Sequence, residues 1–449
     1  MKLDIAALID ERPLSRFQIG TLVLLGASVL MDGFDAQAMG FVAPAIIRTW
    51  GVEKAALGPV FGASLFGMLI GSLVLSPLAD RIGRRPVLIG ATVFFGICML
   101  ATPLVSTLTQ LFAIRFVTGL GLGGIMSNAM ALAGEYSPKR RRVSLMMWVS
   151  CGFTAGAMLG GVVSAALIPR FGWASVFLFG GAVPMIIAAL MLLFLPESMQ
   201  FLVVHGKRLD RVTGWLARIA PDVKLTGEAA PFVAETKPEG ALVAELFRHG
   251  RTGTTLLLWA INFMNLLNLF FLSSWLPTLI TSGGYDLPTA VLVGTALQFG
   301  GVLGTVAMGL MIDRVGFYRV LIPAFAIATC SVYAIGQPAL SLGLLFVVVF
   351  VSGICIVGGQ PAINALAATI YPTTVRSTGV GWSLGIGRAG SIVGPVVAGQ
   401  LVGWRWDNSE LFMTAAVPAL LSCVMLIALT YFKAAQTTNH HREAPMTSL

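Results

Sequence analysis

Charge is scarce in this chain. Only 11% of its 449 residues are Asp, Glu, Lys or Arg, against about 25% in soluble domains. Hydrophobic residues make up 56% and the mean hydropathy is +0.86, which excludes a string of soluble domains. Histidine is nearly missing: His205, His249, His440 and His441 all fall in loops or the tail, so a proton carrier within apolar spans has to be a carboxylate. The cysteines Cys98, Cys151, Cys330, Cys355 and Cys423 are scattered singly, with neither metal-ligand spacing nor a disulfide framework. No nucleophile–base pair stands in the apolar stretches either, so an enzyme is disfavoured and no cofactor or metal is expected. Before the first apolar run, Lys2, Asp4, Asp10, Glu11 and Arg12 mix both signs without a cleavage-site pattern. That segment is expected to be a cytosolic lead-in and not a removable signal.

Long apolar runs are what the chain has in abundance. Twelve spans are expected, at 17–47, 57–79, 87–107, 109–134, 143–167, 172–195, 253–280, 288–312, 318–338, 340–369, 375–402 and 408–432, each long enough to cross a bilayer. With both termini inside, only Arg48, Lys54, Arg170 and Arg405 of the 29 Lys and Arg lie in outside loops, and only Arg115 and Arg388 at membrane depth. This is the positive-inside asymmetry. The net charge of +9 is therefore a topology signal, not a footprint for nucleic acid.

The chain is doubled. Asp80-Arg81-Ile82-Gly83 returns as Asp313-Arg314-Val315-Gly316, Phe116-Val117-Thr118-Gly119 as Phe350-Val351-Ser352-Gly353, and Tyr136-Ser137-Pro138 is echoed by Tyr371-Pro372, at a nearly constant offset. The expected fold is an all-α membrane protein of twelve transmembrane helices in two pseudo-symmetric six-helix bundles, 1–195 and 253–433. A polar loop at 196–252 separates them and a tail follows at 434–449. Repeats of this kind are the build of secondary transporters. Small residues such as Gly119, Gly121, Gly123 and Gly124 let helices pack closely and slide.

Asp32-Gly33-Phe34-Asp35 stands in the first span. A charge at mid-bilayer costs about 2.5–3.5 kcal/mol or more, so such residues face a polar environment and have a task. Three apart, the two aspartates share a helix face, and Gly33 lets another backbone or a ligand approach. Arg115 and Arg388 present planar forks suited to a carboxylate. Arg115 either neutralises Asp32 or Asp35 or meets substrate, and Arg388 is the better candidate for an organic anion. Glu135, beside Lys139-Arg140-Arg141-Arg142, is expected in a cytoplasmic gate or a proton relay. Gating is also expected of Asp80, Arg81, Arg84 and Arg85 and their second copy, Asp313 and Arg314, since a carboxylate at a helix end pairs with nearby arginines. Asn262, Asn265 and Asn268 recur every three residues, giving a polar stripe that faces substrate or serves interhelical hydrogen bonds. The lone amides Asn128, Gln298, Gln360 and Asn364 have the same two uses. Phe34, Phe271, Trp275 and Trp382 either stack on a ring or simply pack.

The loop from Ser76 to Pro86 resembles the signature loop of the major facilitator superfamily, with Ser76 where Gly is usual, and Gly309–Gly316 resembles its second copy. Further features resemble the aromatic acid:proton symporter family of that superfamily. They are Pro13-Leu14-Ser15-Arg16-Phe17-Gln18, the Asp32–Asp35 motif, the segment from Tyr371 through Arg376 to Trp382 and Gly385-Ile386-Gly387-Arg388, and Pro196-Glu197-Ser198. The resemblance covers essentially the whole chain. It implies import of a benzoate-type carboxylate with protons across the bacterial inner membrane. It also implies that Asp32 and Asp35 are needed for coupling, with Arg115, Glu135, Arg376 and Arg388 at functionally important charges. Phe317-Tyr318-Arg319 lacks the histidine that some members carry near the second loop copy. An aromatic monocarboxylate, protons and the lipid bilayer are the expected partners, and the monomer is the expected working unit. The rival readings are a proton-coupled exporter of amphipathic compounds on the same fold and a non-transporting ligand sensor.

Overall fold

The first long helix is started by its own sequence. Ser15 Oγ accepts from the Gln18 amide at 3.3 Å while Gln18 Oε1 accepts from the Ser15 amide at 2.9 Å, a reciprocal cap that satisfies two otherwise orphaned donors. The computed structural model describes residues 2–10, 12–204, 209–219, 230–232, 243–248, 250–338, 340–371 and 376–443. The first half of the chain holds α1 (Ile5–Asp10), α2 (Arg16–Trp50), α3 (Gly58–Ile82), α4 (Arg84–Ala101), α5 (Leu108–Leu122), α6 (Ile125–Glu135), α7 (Arg142–Phe171) and α8 (Ala174–Phe194). Two short helices follow, α9 (Met199–Val204) and α10 (Leu209–Ile219). The second half holds α11 (Thr252–Ser282), α12 (Leu287–Val315), α13 (Phe317–Ile335), α14 (Leu342–Ser352), α15 (Gly359–Ile370), α16 (Arg376–Gly403) and α17 (Asn408–Glu443). One short parallel pairing, Lys2–Asp4 with Ala230–Phe232, is the strand structure among the described residues.

Contacts divide the chain into two units, Met1–Val42 with Ala63–Lys237, and Ala43–Gly62 with Pro238–Leu449. Among the described residues, eleven helical stretches are long and apolar enough to cross a membrane. The stretch expected as a further span, 375–402, is helix α16, which at 28 residues is about 42 Å long but falls outside that set. Gly379, Gly381, Gly385, Gly387 and Arg388 dilute its first half. Large apolar side chains such as Leu73 and Leu193 are 69% and 74% exposed, as expected where lipid and not water is the surrounding solvent.

Each unit repeats the same close approaches. In the first, a Cβ on Gly67 or Gly71 of α3 would lie 2.2 Å from Phe116 O or 2.1 Å from Leu120 O of α5. In the second, Gly300 and Gly304 of α12 stand 2.2 and 2.5 Å, by the same measure, from Phe350 O and Ile354 O. Gly156 of α7 abuts Leu30 O of α2, and Gly394 of α16 abuts Leu267 O of α11. Hydrogen in place of a side chain is what lets these helix backbones touch. The repeated loops also turn alike, through Gly83 at φ 108° and Gly316 at φ 88°. The fold is all-α, with pseudo-symmetric helix bundles.

Two spans read as continuous are interrupted. The stretch 109–134 breaks at Gly123–Gly124 between α5 and α6. The stretch 340–369 passes through a π-helical turn, Gly353–Val357, between α14 and α15. Glycine weakens a helix interior, and π turns inside helices recur at functional sites.

Candidate functional site

Asp32 and Asp35 both lie on α2 with no exposed surface. Gly33 is required by the backbone of α7: a Cβ there would sit 1.9 Å from Phe153 O. The motif's glycine thus presses α2 against α7 at the depth of the two carboxylates. Phe34 is fully buried and packs at 5.7 Å from the Phe179 ring.

Arg115, on α5 and 1% exposed, closes a two-pronged bridge to Asp35. Nη1 donates to Oδ1 at 2.6 Å and Nη2 to Oδ2 at 2.9 Å. Nη2 also reaches Asp35 O at 3.3 Å and Ser64 Oγ at 3.4 Å, and the guanidinium lies 5.9 Å from the centre of the Phe177 ring. Of the two alternatives for Arg115, the structure displays the ion pair. It chooses Asp35 over Asp32, which the spacing left open.

The second unit holds an amide network. Asn262 Nδ2 donates to Ser383 O and Oγ at 3.1 and 3.0 Å. Asn265 Nδ2 donates to Gln360 Oε1 at 2.7 Å and to Ile356 O at 3.2 Å. Gln360 Nε2 in turn serves Asn262 Oδ1 at 2.8 Å and Asn364 Oδ1 at 3.2 Å. Ile356 belongs to the π turn, so Asn265 covers a carbonyl in the segment where the regular helical ladder is interrupted. Asn128 does the same in the first unit, its Nδ2 donating to Gly124 O at 2.7 Å where α5 breaks into α6. Asn268 is buried too, and among the described residues neither of its amide atoms has a hydrogen-bond partner. Gln298 donates to Ser273 Oγ at 3.0 Å.

Arg388 is half-buried on α16, next to Gly387, whose Cβ would stand 2.9 Å from Asn262 Oδ1. The arginine and the amide network therefore share one helix junction. Trp382 is 45% exposed and stacks on Trp259 at 5.8 Å. It sits six residues, about 9 Å along the axis, from Arg388. Trp275 and Phe271 are buried, and Trp275 donates to Pro395 O at 3.0 Å.

The loop motif meets a cluster that spacing alone did not assemble. Glu197 Oε1 accepts from the amides of Arg84, Arg85 and Ser198 at 2.9, 3.1 and 2.8 Å. It thereby places a carboxylate on the N-terminus of α4, where the helix dipole favours it. Arg84 pairs with Glu135, and Ser198 Oγ donates to the same Glu135. Arg85 Nη2 donates to Leu192 O at 2.6 Å. The Tyr136 hydroxyl donates to Glu197 O at 2.7 Å, and Gln18 Nε2 to Tyr136 O at 2.8 Å. Burial first, then the charges of Glu135 and Glu197, push the Tyr136 phenol well above its ordinary value. Asp80, Arg81, Asp313 and Arg314 are exposed, and among the described residues none of the four forms an ion pair. Arg376 is the first residue of α16, and its side chain lies outside the described residues, as do residues 372–375. Glu197 and Ser198 entered the sequence reading only through a resemblance, and Tyr136 only through a repeat. Ser15 and Gln18, three residues apart at the start of α2, are the local sequence signal for this corner.

A helical bundle in duplicate with a buried acid–guanidinium pair has the makings of a secondary transporter. The model of the Major Facilitator Superfamily matches residues 25–200 and 258–447. The chain is 41% identical over 428 residues to a 4-hydroxybenzoate transporter, PcaK, of Pseudomonas putida, covering 95% of each. It is 37% identical over 430 residues to a gallate transporter of Pseudomonas putida, again covering 95% of each. A D-xylose-proton symporter of known structure shares the fold at a TM-score of 0.70 and 14% identity, over 93% of this chain and 97% of that one. The chain belongs to the aromatic acid:proton symporter family of the major facilitator superfamily. It is a transporter and not an enzyme, a multi-pass protein of the bacterial inner membrane.

Proposed function

We propose that this protein takes up a hydroxylated benzoate-type monocarboxylate together with protons, by alternating access. Both termini are cytoplasmic, α16 is the twelfth span, and the two six-helix bundles run over 1–195 and 253–433. Asp32 exchanges the proton, while Asp35 is held by Arg115. Arg388 receives the substrate carboxylate, and Asn262 and Asn265, with Gln360, meet its ring hydroxyl. Trp382, Asn128 and Glu135 support these groups, and the gate is built from Asp80, Arg81, Arg84, Arg85, Asp313, Arg314 and Arg376. The monomer is the working unit.

What supports the reading is the pairing of a buried Asp35–Arg115 bridge, on the same helix face as Asp32, with 41% identity over 95% of a 4-hydroxybenzoate transporter. The test is uptake into proteoliposomes under an inward proton gradient, with labelled 4-hydroxybenzoate, gallate and benzoate, beside Asp32→Asn. Accumulation that needs the gradient and is lost in the variant supports the proposal. Binding without accumulation favours a sensor, efflux driven by an opposite gradient favours an exporter, and either result overturns it.

A further inference from the structure

Helix α10 has two faces. Val212, Leu216 and Ile219 are 0%, 1% and 4% exposed and pack inward. Arg211, Gly214, Trp215 and Arg218, at i, i+3, i+4 and i+7, share another face and line a cavity of about 750 Å³. Arg16 at the start of α2 and Arg85 at the start of α4 also line it, as do Leu193 and Phe194 at the end of α8.

Four arginines therefore line one cavity. Among the described residues no carboxylate forms an ion pair with Arg16, Arg85, Arg211 or Arg218. Among the described residues Arg85 Nε is buried without a hydrogen-bond partner while its Nη2 donates to Leu192 O, and the Arg218 guanidinium rests 5.7 Å from the centre of the Phe17 ring. Glu197 lines a smaller cavity alongside, with Arg85, Arg211 and Trp215, but its Oε1 already accepts three backbone amides. The wall opposite the charges is apolar and open. Val23 is 48% exposed, Leu193 74% and Phe194 64%, all lining the cavity and on helices that qualify as membrane spans.

We propose that this cavity binds an anionic phospholipid of the cytosolic leaflet. Its phosphate is held by Arg16, Arg211 and Arg218, and its acyl chains lie along α2 and α8. Charge complementarity sets the headgroup: basic pockets at the cytosolic ends of spans attract anionic lipid at about 1 kcal/mol per Arg, and a zwitterionic headgroup brings its own cation into the cluster. The apolar wall sets the rest of the ligand, since a free phosphate has nothing to place against Leu193 and Phe194. The lipid then bridges α10 to the inner ends of α2 and α8, next to the Glu197 cap on α4.

The test is native mass spectrometry of the full chain, delipidated and titrated with phosphatidylglycerol or phosphatidylcholine. The same titrations are run on Arg211→Gln/Arg218→Gln and on Arg211→Lys/Arg218→Lys. The expected result is one retained phosphatidylglycerol per chain with a preference of roughly tenfold or more over phosphatidylcholine, lost in the glutamine variant and largely kept in the lysine variant. Thermal unfolding of the lipid-free variants separates loss of the site from loss of the fold. No preference in the parent chain, or an unchanged preference in the glutamine variant, overturns the proposal. So does displacement of the lipid by millimolar inorganic phosphate, which marks a site for free anions.

Discussion

Arg115 and Asp35 meet through both prongs of the guanidinium, at 2.6 and 2.9 Å, with 1% and 0% of their side chains exposed. The bridge ties α5 to α2 at the level where Gly33 brings α7 into backbone contact. Removing one partner leaves the other charged and buried, which costs about 3–5 kcal/mol, whereas removing both is much milder. Arg115→Gln is therefore expected to lower the unfolding temperature in detergent sharply, and Asp35→Asn/Arg115→Gln to recover much of the loss. Losses in Arg115→Gln and Asp35→Asn that simply add up in the double variant refute an energetic coupling.

Gly83 faces Glu197 so closely that a Cβ would lie 2.3 Å from Oε2, and its φ of 108° is unfavourable for any side chain. Gly83→Ala displaces the carboxylate from the α4 amides as well as straining the turn. Glu197→Gln keeps the shape but weakens the charge on the helix end. The expected losses are about 0.5–2 kcal/mol for the charge change and more for Gly83→Ala, read from chemical or thermal unfolding. A Gly83→Ala protein as stable as the parent shows the cap to be dispensable.

Tyr136 gives a pH signature. Its phenol is pushed up in the folded protein by burial and by Glu135 and Glu197, so above the ordinary tyrosine range the folded state holds a proton that the unfolded chain has released. Stability from this group is intact below the ordinary value and falls as pH rises past it. Tyr136→Phe loses the 2.7 Å hydrogen bond to Glu197 O, worth about 0.5–1.5 kcal/mol. The gap between parent and variant is expected to be widest near neutral pH and to narrow above about pH 10. A gap that is constant with pH assigns the effect to packing alone.

Local spacing made much of this legible from the chain. The shared face of Asp32 and Asp35 and the repeated Asp-Arg-x-Gly loops are relations within one element or at one fixed offset, and each has its counterpart in the structure. Partner choice was not legible. That Arg115 takes Asp35 depends on how α5 rotates against α2, across 80 residues of sequence separation. The asparagine stripe of α11 reads as polar from its spacing, but its partners come from α15, α16 and the π turn. The glycines at 123 and 124 read as packing residues, yet the helix breaks there, because weak helix propensity acts on the same residues as close approach, of Gly123 to Met68 O and of Gly124 to the Leu75 side chain.

The amide network offers a test of substrate choice. Gln360 is the hinge of it, bonded to Asn262, Asn265 and Asn364. If Asn262 and Asn265 meet a ring hydroxyl, Asn262→Leu removes a partner for that hydroxyl, and a site built to bond a hydroxyl loses most of its preference when the partner goes. The expected outcome is a rise of about tenfold or more in KM for 4-hydroxybenzoate, with little change for benzoate. A parallel loss for both substrates marks the network as structural.

Proton stoichiometry follows from the same bridge. Asp35 has both carboxylate oxygens hydrogen-bonded to Arg115. With Asp32 as the one exchanging group proposed above, one proton per monoanion is the expected ratio and the cycle is electroneutral. Uptake then responds to a pH gradient but not to membrane potential. A second proton would make the cycle carry one net charge and add about 2.3 kcal/mol of driving force per 100 mV. The discriminating measurement is accumulation in proteoliposomes with the pH gradient clamped and a potassium–valinomycin potential varied. A flat response supports a single exchange at Asp32. A response that rises with inside-negative potential requires a second titrating group, and loss of that slope in Asp35→Asn identifies it as Asp35, opened from its bridge during the cycle.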